Sequence, residues 1–410
     1  MTRGILYGKD LYRDVVAYAQ FGDHRTATEG ETRTTDWLAE RLAACGLEVG
    51  FQPCPADTFF IDQTHLAVDG EAVECFPLWP PTWTGKTPVQ GRLVAAEEGK
   101  AVPEGSVALF NPSFSYGALP FSQEEADRAA MQAVAEAGAV AALVVSNGPS
   151  DGIHAFNTPE GTGRWPIPVA LVPKRSRSLL ASAAEKGAGV SLLLHGRDEP
   201  RADARNVIAK LTRGSDIIVI STPKSGWFTC AGERGPGVAL FLTLAEWASR
   251  RDSPVSYIFD ANTGHETGGT GIARFVEDVA PPPDQVLAWV HLGANIATWA
   301  WEETSAGPVK RARPEDYRVV CNSEELLPLL ADALTSLPGL EPRAGRGIGE
   351  MRLVIETGYR GFGVNGGPYR YFHAPEDTPD VATAPELLEP VAVALTRVLE
   401  LLEAKGRPET

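Results

Sequence analysis

The second half of the chain alternates short apolar runs with segments of helical periodicity, and this alternation limits the fold more than any other feature. Apolar runs occupy residues 216–222 (DIIVIST), 254–260 (PVSYIFD) and 286–294 (VLAWVHLGA), and a long helical segment occupies residues 237–251 (GVALFLTLAEWASRR). Strands that are apolar throughout are typical of parallel sheets with helices on both faces. The pattern therefore predicts an α/β fold, with a mostly parallel mixed sheet sandwiched by helices.

The first half of the chain has a different texture. Residues 11–55 contain two helical segments around a polar turn, followed by a strand. Between residues 66 and 199 the strand-like runs are short, proline and glycine are frequent, and one helical segment, residues 124–145, runs directly into a buried strand. We therefore predict that residues 66–199 form an inserted β-rich domain, and that residues 1–65 and 200–410 together form the α/β domain.

Composition and charge narrow the classes of function. The 410 residues carry a formal net charge of -16, which disfavours binding to nucleic acid and to anionic membranes. We therefore expect a small-molecule or short-peptide substrate, no nucleic acid and no membrane partner, and a homo-oligomer stays open. The five cysteines contain no CxxC pair, which argues against a disulfide framework and against a thiolate zinc cluster. With no leader-like segment and no apolar run near the roughly 20 residues of a membrane span, the protein is expected in the cytoplasm.

Polar side chains that suit catalysis follow several of the predicted strands. In an open α/β sheet, ligands bind beyond the carboxyl ends of the strands, so the loops there are the first place to look for a site. Imidazole and carboxylate groups are the ligands that a zinc ion takes at a catalytic centre. The loops in question carry Glu233, the adjacent pair His265 and Glu266, His291, and finally His373 with Asp377.

Structural roles for the same residues stay open. Glu233 lies just before a helix, where a carboxylate favours the positive end of the helix dipole. A single histidine at a strand end, such as His291, is often a hydrogen-bonded structural residue. Ser225 and Cys230 lie in the loop of Glu233, and either could be a nucleophile with His265 as its base, which would give acyl transfer without a metal.

The order of these residues resembles that of the co-catalytic zinc aminopeptidases, family 28 of the metallopeptidases, which includes glutamate carboxypeptidase, the transferrin receptor and the glutaminyl cyclases. Residues 24–49 look like the opening helices of that family, and residues 206–211 look like the strand that enters its catalytic core. Residues 66–199 resemble the protease-associated domain that many members carry as an insertion. Residues 373–380 (HAPEDTPD) are similar to the final ligand motif. The resemblance covers nearly the whole chain and implies a zinc aminopeptidase-like fold.

Several ligand positions of the family are altered in this sequence. Pro223 and Ser225 stand where the family has its first histidine and the following aspartate, and Gly293 falls on or near the fourth ligand. Glu233 matches the bridging aspartate and is one methylene longer. His265 replaces the glutamate that is the general base in the family. The resemblance therefore implies one metal ion rather than two.

Three of the positions keep side chains able to bind a metal. Glu233, Glu266 and His373 resemble the three ligands of the single zinc ion of the glutaminyl cyclases. Two carboxylates and one imidazole leave a coordination position for water or substrate, as a catalytic zinc requires. His265 then takes the general acid/base role, because an imidazole titrates near neutral pH. Coordination of the metal by His265 stays open as an alternative.

Two further side chains are candidates for catalysis. His291 could add a ligand or relay a proton, and Tyr371, or its neighbour Tyr369, could polarise a carbonyl group. The resulting hypothesis is a hydrolase that cleaves an amide, peptide or related bond in a small substrate, with one zinc or similar divalent ion. The alternatives are a relative without catalysis that serves binding or assembly, and an intramolecular cyclase resembling glutaminyl cyclase.

Overall fold

The computed structural model describes residues 7–97, 102–111, 125–157, 163–367 and 369–406. The chain divides into two compact units. The first unit contains residues 1–56, 203–372 and 377–410, and the second contains residues 57–202 and 373–376. The expected boundary at residue 66 falls inside a long strand, Ala56–Val68. All of this strand except Ala56 belongs to the second unit. The expectation that the chain has no leader concerns a segment that includes residues 1–6, and these lie outside the described residues.

The described residues contain strands and helices in a mixed order along the chain. The strands are β1 (Glu48–Pro53), β2 (Ala56–Val68), β3 (Glu71–Val73), β4 (Phe76–Pro77), β5 (Val89–Ala95), β6 (Val107–Phe110), β7 (Ala141–Val145), β8 (Val169–Val172), β9 (Gly189–Ala202), β10 (Arg205–Leu211), β11 (Ile217–Pro223), β12 (Ser256–Asn262), β13 (Val286–Leu292), β14 (Trp299–Thr304), β15 (Gly307–Pro314), β16 (Tyr317–Cys321), β17 (Glu341–Ala344) and β18 (Gly361–Gly366). The helices are α1 (Gly8–Ala19), α2 (Glu29–Ala44), α3 (Glu125–Glu136), α4 (Arg177–Lys186), α5 (Gly235–Ser249), α6 (Thr270–Asp278), α7 (Leu327–Ala333), α8 (Met351–Glu356), α9 (Pro379–Ala382) and α10 (Pro385–Lys405), and short 3₁₀ turns occupy Lys174–Ser176, Pro283–Gln285 and Glu324–Leu326.

A mixed sheet organises the first unit. Its strand order is β1-β10-β12-β11-β13-β18-β16-β17 within the described residues. The central strands β12, β11, β13 and β18 run parallel to one another, while β1 and β10 pair antiparallel at one edge. On the other side β18 pairs antiparallel with β16, which runs parallel to β17. The predicted α/β fold with a mostly parallel mixed sheet is confirmed.

Helices cover both faces of this sheet. Neighbouring residues on a strand point to opposite sides, so a strand that is apolar throughout presents apolar side chains on both faces. On β11, Ile218 and Ile220 belong to the core cluster that contains α5 and α10, whereas Val219 belongs to the cluster that contains residues of α6 and α8. Helix α5 begins with a proline in its first turn and is buried over almost its whole length. It packs against both α1 and α10. Other elements therefore surround this helix, which explains why its sequence is apolar on all sides.

The second unit is built on its own sheet. The strand order is β3-β2-β9-β5-β6-β7-β8-β4 within the described residues, and β5, β6, β7 and β8 run parallel. Helix α3 precedes the buried strand β7, as the sequence predicts, although Glu124 at the start of the predicted segment lies outside the described residues. The assignment of this unit as a protease-associated domain stays a prediction.

Some elements of the first unit were not predicted from the sequence. Strands β14 and β15 form a separate antiparallel ribbon that carries Trp299 and Trp301. Most of its residues are exposed or half-buried, so the apolar periodicity that marks a core strand is absent. Helix α6 was also not predicted, because the glycines before it suggest a longer loop. None of the described helices has the length and apolar character needed to cross a membrane.

Gly361 on β18 allows a close approach to the central strand β13. A Cβ atom at this position would lie 2.3 Å from the carbonyl oxygen of Trp289, which is backbone and cannot turn away. We expect Gly361→Ala to lower the free energy of unfolding by about 1–3 kcal/mol, the usual cost of overpacking, as measured by denaturant unfolding. The matched control is Gly50→Ala on β1, where a Cβ atom meets nothing within 4 Å. Equal stability of the two variants would contradict this prediction.

Candidate active site

The candidate residues of the first unit lie where its parallel strands end. Strand β12 ends at Asn262, and the following turn carries His265 and Glu266. The loop after β11 leads to Glu233 immediately before α5, and His291 lies near the end of β13. Since β11, β12 and β13 are parallel neighbours, their carboxyl ends share one edge of the sheet. The predicted location of the site is consistent with this arrangement.

Glu350 holds the imidazole of His265. The Nδ1 atom of His265 lies 2.8 Å from Oε1 of Glu350, which stands just before α8. The backbone N–H of His265 donates a hydrogen bond of 3.1 Å to Oγ of Ser225, which fixes the turn as well. The His265 side chain is 17% exposed, whereas that of Glu350 is 3% exposed. The ring is therefore accessible, and its orientation is set by a buried carboxylate.

The ionisation of Glu350 decides which ring nitrogen can react. Burial alone would raise its pKa, but the hydrogen bond from His265 and the positive charges around it hold the pKa of Glu350 below its ordinary value. A carboxylate accepts, so Nδ1 of His265 donates its proton to Glu350. With Nδ1 engaged, Nε2 is the nitrogen that can take a proton from a substrate or from water.

His291 is buried against the same carboxylate. Its Nδ1 lies 2.9 Å from Oγ of Ser221, and Oγ accepts a hydrogen bond of 2.7 Å from Nε1 of Trp289. The Ser221 hydroxyl can then donate its single proton to Nδ1 of His291, which leaves the ring proton on Nε2. That nitrogen is 3.9 Å from Oε2 of Glu350. His291 thus belongs to the surroundings of Glu350.

The free energy of unfolding should depend on pH through the protonation of His291. Burial lowers its pKa from 6.5 to about 4, so between these values the unfolded chain binds a proton that the folded protein excludes. This lowered pKa means that stability is complete above about pH 6.5 and falls as the pH drops towards 4. We expect wild type to lose about 2 kcal/mol more free energy of unfolding than His291→Asn between pH 7 and pH 5. Urea unfolding at each pH measures this, and parallel curves would contradict it.

Glu233 is held from several sides. Its Oε1 lies 2.6 Å from Nη2 of Arg234, and both side chains are buried. The thiol of Cys230 donates to Oε2 at 3.2 Å. The Arg234 guanidinium in turn donates from Nε to the backbone oxygen of Ser225 at 3.1 Å. The carboxylate is therefore neutralised by the residue that follows it in the chain.

Asp377 fixes the loop that carries Glu233. Its carboxylate accepts hydrogen bonds from the backbone N–H groups of Gly232 at 2.7 Å and Glu233 at 3.1 Å, and from the hydroxyl of Tyr369 at 3.1 Å. Burial raises the pKa of Asp377 to about 7 despite these donors. Tyr371, the predicted catalytic tyrosine, packs its ring edge-on at 5.9 Å from Tyr369 and is half-buried.

Glu266 lies in a second buried group of charges. Its Oε1 accepts a hydrogen bond from the backbone N–H of Thr26, and no donor among the described residues reaches Oε2. Nearby, Nζ of Lys224 forms an ion pair with Oε1 of Glu31, and both side chains are fully buried. Burial lowers the pKa of Lys224 to about 7, while the negative charges of Glu266 and Asp260 oppose this shift.

His373 is grouped with the second compact unit. Its Nδ1 lies 2.9 Å from the backbone oxygen of Ala155, whose N–H donates back to the oxygen of His373 at 2.9 Å. As the side chains are placed, the described His, Cys, Asp and Glu residues contain no group of three or more that could hold a metal ion. The proposed ligand set of Glu233, Glu266 and His373 stays a prediction.

Solved structures with the same architecture are known. A zinc aminopeptidase from Bacillus subtilis matches with a TM-score of 0.74 at 16% sequence identity, covering 97% of this chain and 95% of that chain. A peptidase M28 precursor from Shewanella amazonensis matches with a TM-score of 0.75 at 16% identity, covering 98% and 94%. The chain has the zinc aminopeptidase fold. The resemblance drawn from the sequence is thereby confirmed for the fold.

The same fold extends to a cyclase. A glutaminyl cyclase from Porphyromonas gingivalis matches this chain with a TM-score of 0.51 at 10% identity, covering 97% of this chain and 99% of that chain. Comparison of the sequence with family models and with curated proteins gives no match. The zinc aminopeptidase fold is therefore established by structure, while the chemistry must be argued from the residues of this chain.

The resemblance implies a zinc ion with Glu233 among its ligands. A zinc ion bound by Glu233 would have to share the carboxylate with its present partners, because Oε1 faces the Arg234 guanidinium and Oε2 accepts from the Cys230 thiol. A divalent ion beside Oε1 would also lie next to a guanidinium of the same sign of charge. As arranged, Glu233 does not fit a resident zinc ion in this version of the zinc aminopeptidase fold.

Sequence reasoning missed three residues of this site. Glu350 lies in the segment GIGEM, which matches no motif, and its contact with His265 spans 85 positions of the sequence. Arg234 follows Glu233 directly, and Lys224 lies between Pro223 and Ser225. Both side chains are buried only in the folded chain, so the sequence carries no signal for their roles.

Proposed function

We propose that this protein is a hydrolase that cleaves an amide, peptide or related bond in a small molecule or short peptide, with His265 as its general acid/base. The observation that carries the proposal is the 2.8 Å contact between Nδ1 of His265 and the buried carboxylate of Glu350. A carboxylate behind an imidazole fixes the ring tautomer and stabilises the imidazolium that forms during proton transfer. The zinc aminopeptidase fold of the chain supports the choice of bond.

In the proposed reaction Nε2 of His265 takes a proton from a water molecule as the water oxygen bonds to the carbonyl carbon of the substrate. The imidazolium then passes this proton to the leaving nitrogen as the carbon–nitrogen bond breaks, so the ring ends as it began. Glu350 keeps its hydrogen bond to Nδ1 throughout. His291, which is neutral because burial lowers its pKa to about 4, adds a further contact to Glu350 without adding a second charge.

A second candidate is a relative that binds or assembles without turnover. The ion pairs of Glu233 with Arg234 and of Glu31 with Lys224 favour it, because these pairs place basic side chains against buried carboxylates of this unit. In this case the protein would bind its small-molecule ligand at the same edge of the sheet. The intramolecular cyclase is a third reaction that this fold accommodates.

A turnover assay in ¹⁸O-labelled water separates these functions. The purified protein is incubated with a panel of amino acid amides, dipeptides and N-terminal glutaminyl peptides, and the masses of the products are measured by mass spectrometry. Incorporation of one ¹⁸O atom per cleaved bond supports the hydrolase, and loss of ammonia without ¹⁸O supports the cyclase. Saturable binding with neither product supports the binding protein. The proposed hydrolase is rejected if none of the offered bonds is cleaved.

A further inference from the structure

Arg234 is a fixed charge inside the protein. Its Nη2 lies 2.6 Å from Oε1 of Glu233, and the side chains of the two residues are 1% and 0% exposed. At the same time Nε donates to the backbone oxygen of Ser225 at 3.1 Å. A planar guanidinium that is bound on two sides and shielded from water cannot exchange its partner for solvent, as a surface arginine does.

The carboxylate of Glu233 is equally constrained. The Cys230 thiol donates to Oε2 at 3.2 Å, and both side chains are fully buried. The backbone N–H of Glu233 donates to Oδ2 of Asp377 at 3.1 Å. Both carboxylate oxygens and the backbone of Glu233 therefore have defined partners in the same unit.

The charge of Arg234 also reaches the residues around His265. Burial raises the pKa of Glu350, but its neighbours, which include His265 and Arg234, hold it below its ordinary value. Arg234 thus acts electrostatically on a second carboxylate of the candidate active site. A cation paired with a buried carboxylate supplies the positive charge that a bound metal ion supplies in other proteins.

We propose that Arg234 is a built-in cation that supplies the positive charge at Glu233 and closes this carboxylate to metal ions. A guanidinium stays protonated at every pH at which proteins fold, so the closure does not depend on pH. A metal ion could bind Glu233 only by separating a buried ion pair and leaving the guanidinium without its partner. The inference departs from the zinc ion that the resemblance implies, and it does not rest on the proposed hydrolase function.

Metal binding by Arg234→Gln tests the proposal. Glutamine retains a hydrogen-bond donor but removes the charge, so Glu233 loses the positive charge that Arg234 places beside it. Wild type and variant are freed of metal with a chelator, dialysed against Zn²⁺ or Co²⁺, and examined by elemental analysis and thermal unfolding. We expect wild type to retain no metal at Glu233 and to have the same Tm with and without Zn²⁺. Arg234→Gln should bind Zn²⁺ at least about tenfold more tightly than wild type, and its Tm should rise when Zn²⁺ is added.

Two further variants control the experiment. Arg251→Gln removes an arginine of a different ion pair, in which Nη2 of Arg251 lies 2.8 Å from Oε2 of Glu403. This variant should not acquire a response to Zn²⁺. The double variant Arg234→Gln/Glu233→Gln should lose the metal gained by the single variant. A folded Arg234→Gln protein that binds no more metal than wild type would overturn the proposal.

The wild-type measurement decides the question even if Arg234→Gln does not fold. Stoichiometric zinc in wild type that is lost in Glu233→Gln overturns the proposal, and an unchanged Tm with no retained zinc supports it. These readouts require no substrate, so their failure is distinct from failure of the turnover assay.

Discussion

Replacing His265 with glutamine lowers turnover by about 10²- to 10⁴-fold, the usual contribution of a positioned general acid or base. Glutamine can still donate a hydrogen bond to Glu350, which keeps the buried carboxylate partnered and the fold nearly as stable as wild type. It cannot carry a proton between water and a leaving group. We therefore expect kcat to fall while KM changes little, as measured with whichever substrate the labelled-water assay identifies.

The matched control for His265 is His65→Gln. His65 is an exposed histidine on β2, in the other unit, and its replacement should leave kcat unchanged. A His265→Gln protein with full turnover would end the assignment of His265 as acid/base. A protein that loses turnover only because it unfolds is recognised by its denaturation curve, and this outcome would assign His265 a structural role instead.

Replacing Lys224 with methionine should lower the free energy of unfolding by about 3–5 kcal/mol. The loss arises because Oε1 of Glu31 is then buried without the Lys224 cation, while Oε2 keeps the hydrogen bond of 3.1 Å from the backbone N–H of Ala27. Glu31 also belongs to the first turn of α2, where Oγ1 of Thr28 accepts the Glu31 N–H, so the damage should include the start of this helix.

The double variant Lys224→Met/Glu31→Leu measures the pair itself. Replacing both partners with apolar side chains removes the unpaired charge, so much of the lost stability should return, and a double-mutant cycle gives the coupling energy. The matched control is Lys210→Met, an exposed lysine on β10 of the same unit, which should change stability by less than about 0.5 kcal/mol. Equal losses for Lys224→Met and Lys210→Met would contradict a structural role for the buried pair.

The fold was predictable to the extent that its elements carry a local pattern. Strands β11, β12 and β13 are apolar throughout, and α5 is a long apolar segment with a proline in its first turn, so their type follows from sequence. The ribbon of β14 and β15 was missed because it is mostly exposed, and no core imposes alternation on its residues.

The candidate site was predictable only where a motif carries it. His265 and Glu266 stand in a recognisable stretch, and their place beyond β12 follows from the strand order. Glu350 has no such signal, because its role depends on the folded chain bringing α8 to the turn of His265. The ion pair between Glu233 and Arg234 was equally out of reach, since sequence gives the two residues as neighbours but not the burial that makes their charges interact.

The short segment 373–376 limits how the protein can be dissected. Because these four residues belong to the second compact unit, a fragment of residues 57–202 lacks part of that unit. It lacks the pair of hydrogen bonds between His373 and Ala155, and it lacks Glu376, which lies 3.8 Å from Arg175. A single continuous fragment between two new termini therefore cannot contain the second unit without also containing most of the first. A soluble fragment would need residues 373–376 supplied as a tethered peptide, and the remaining chain would need a new linker between Phe372 and Asp377.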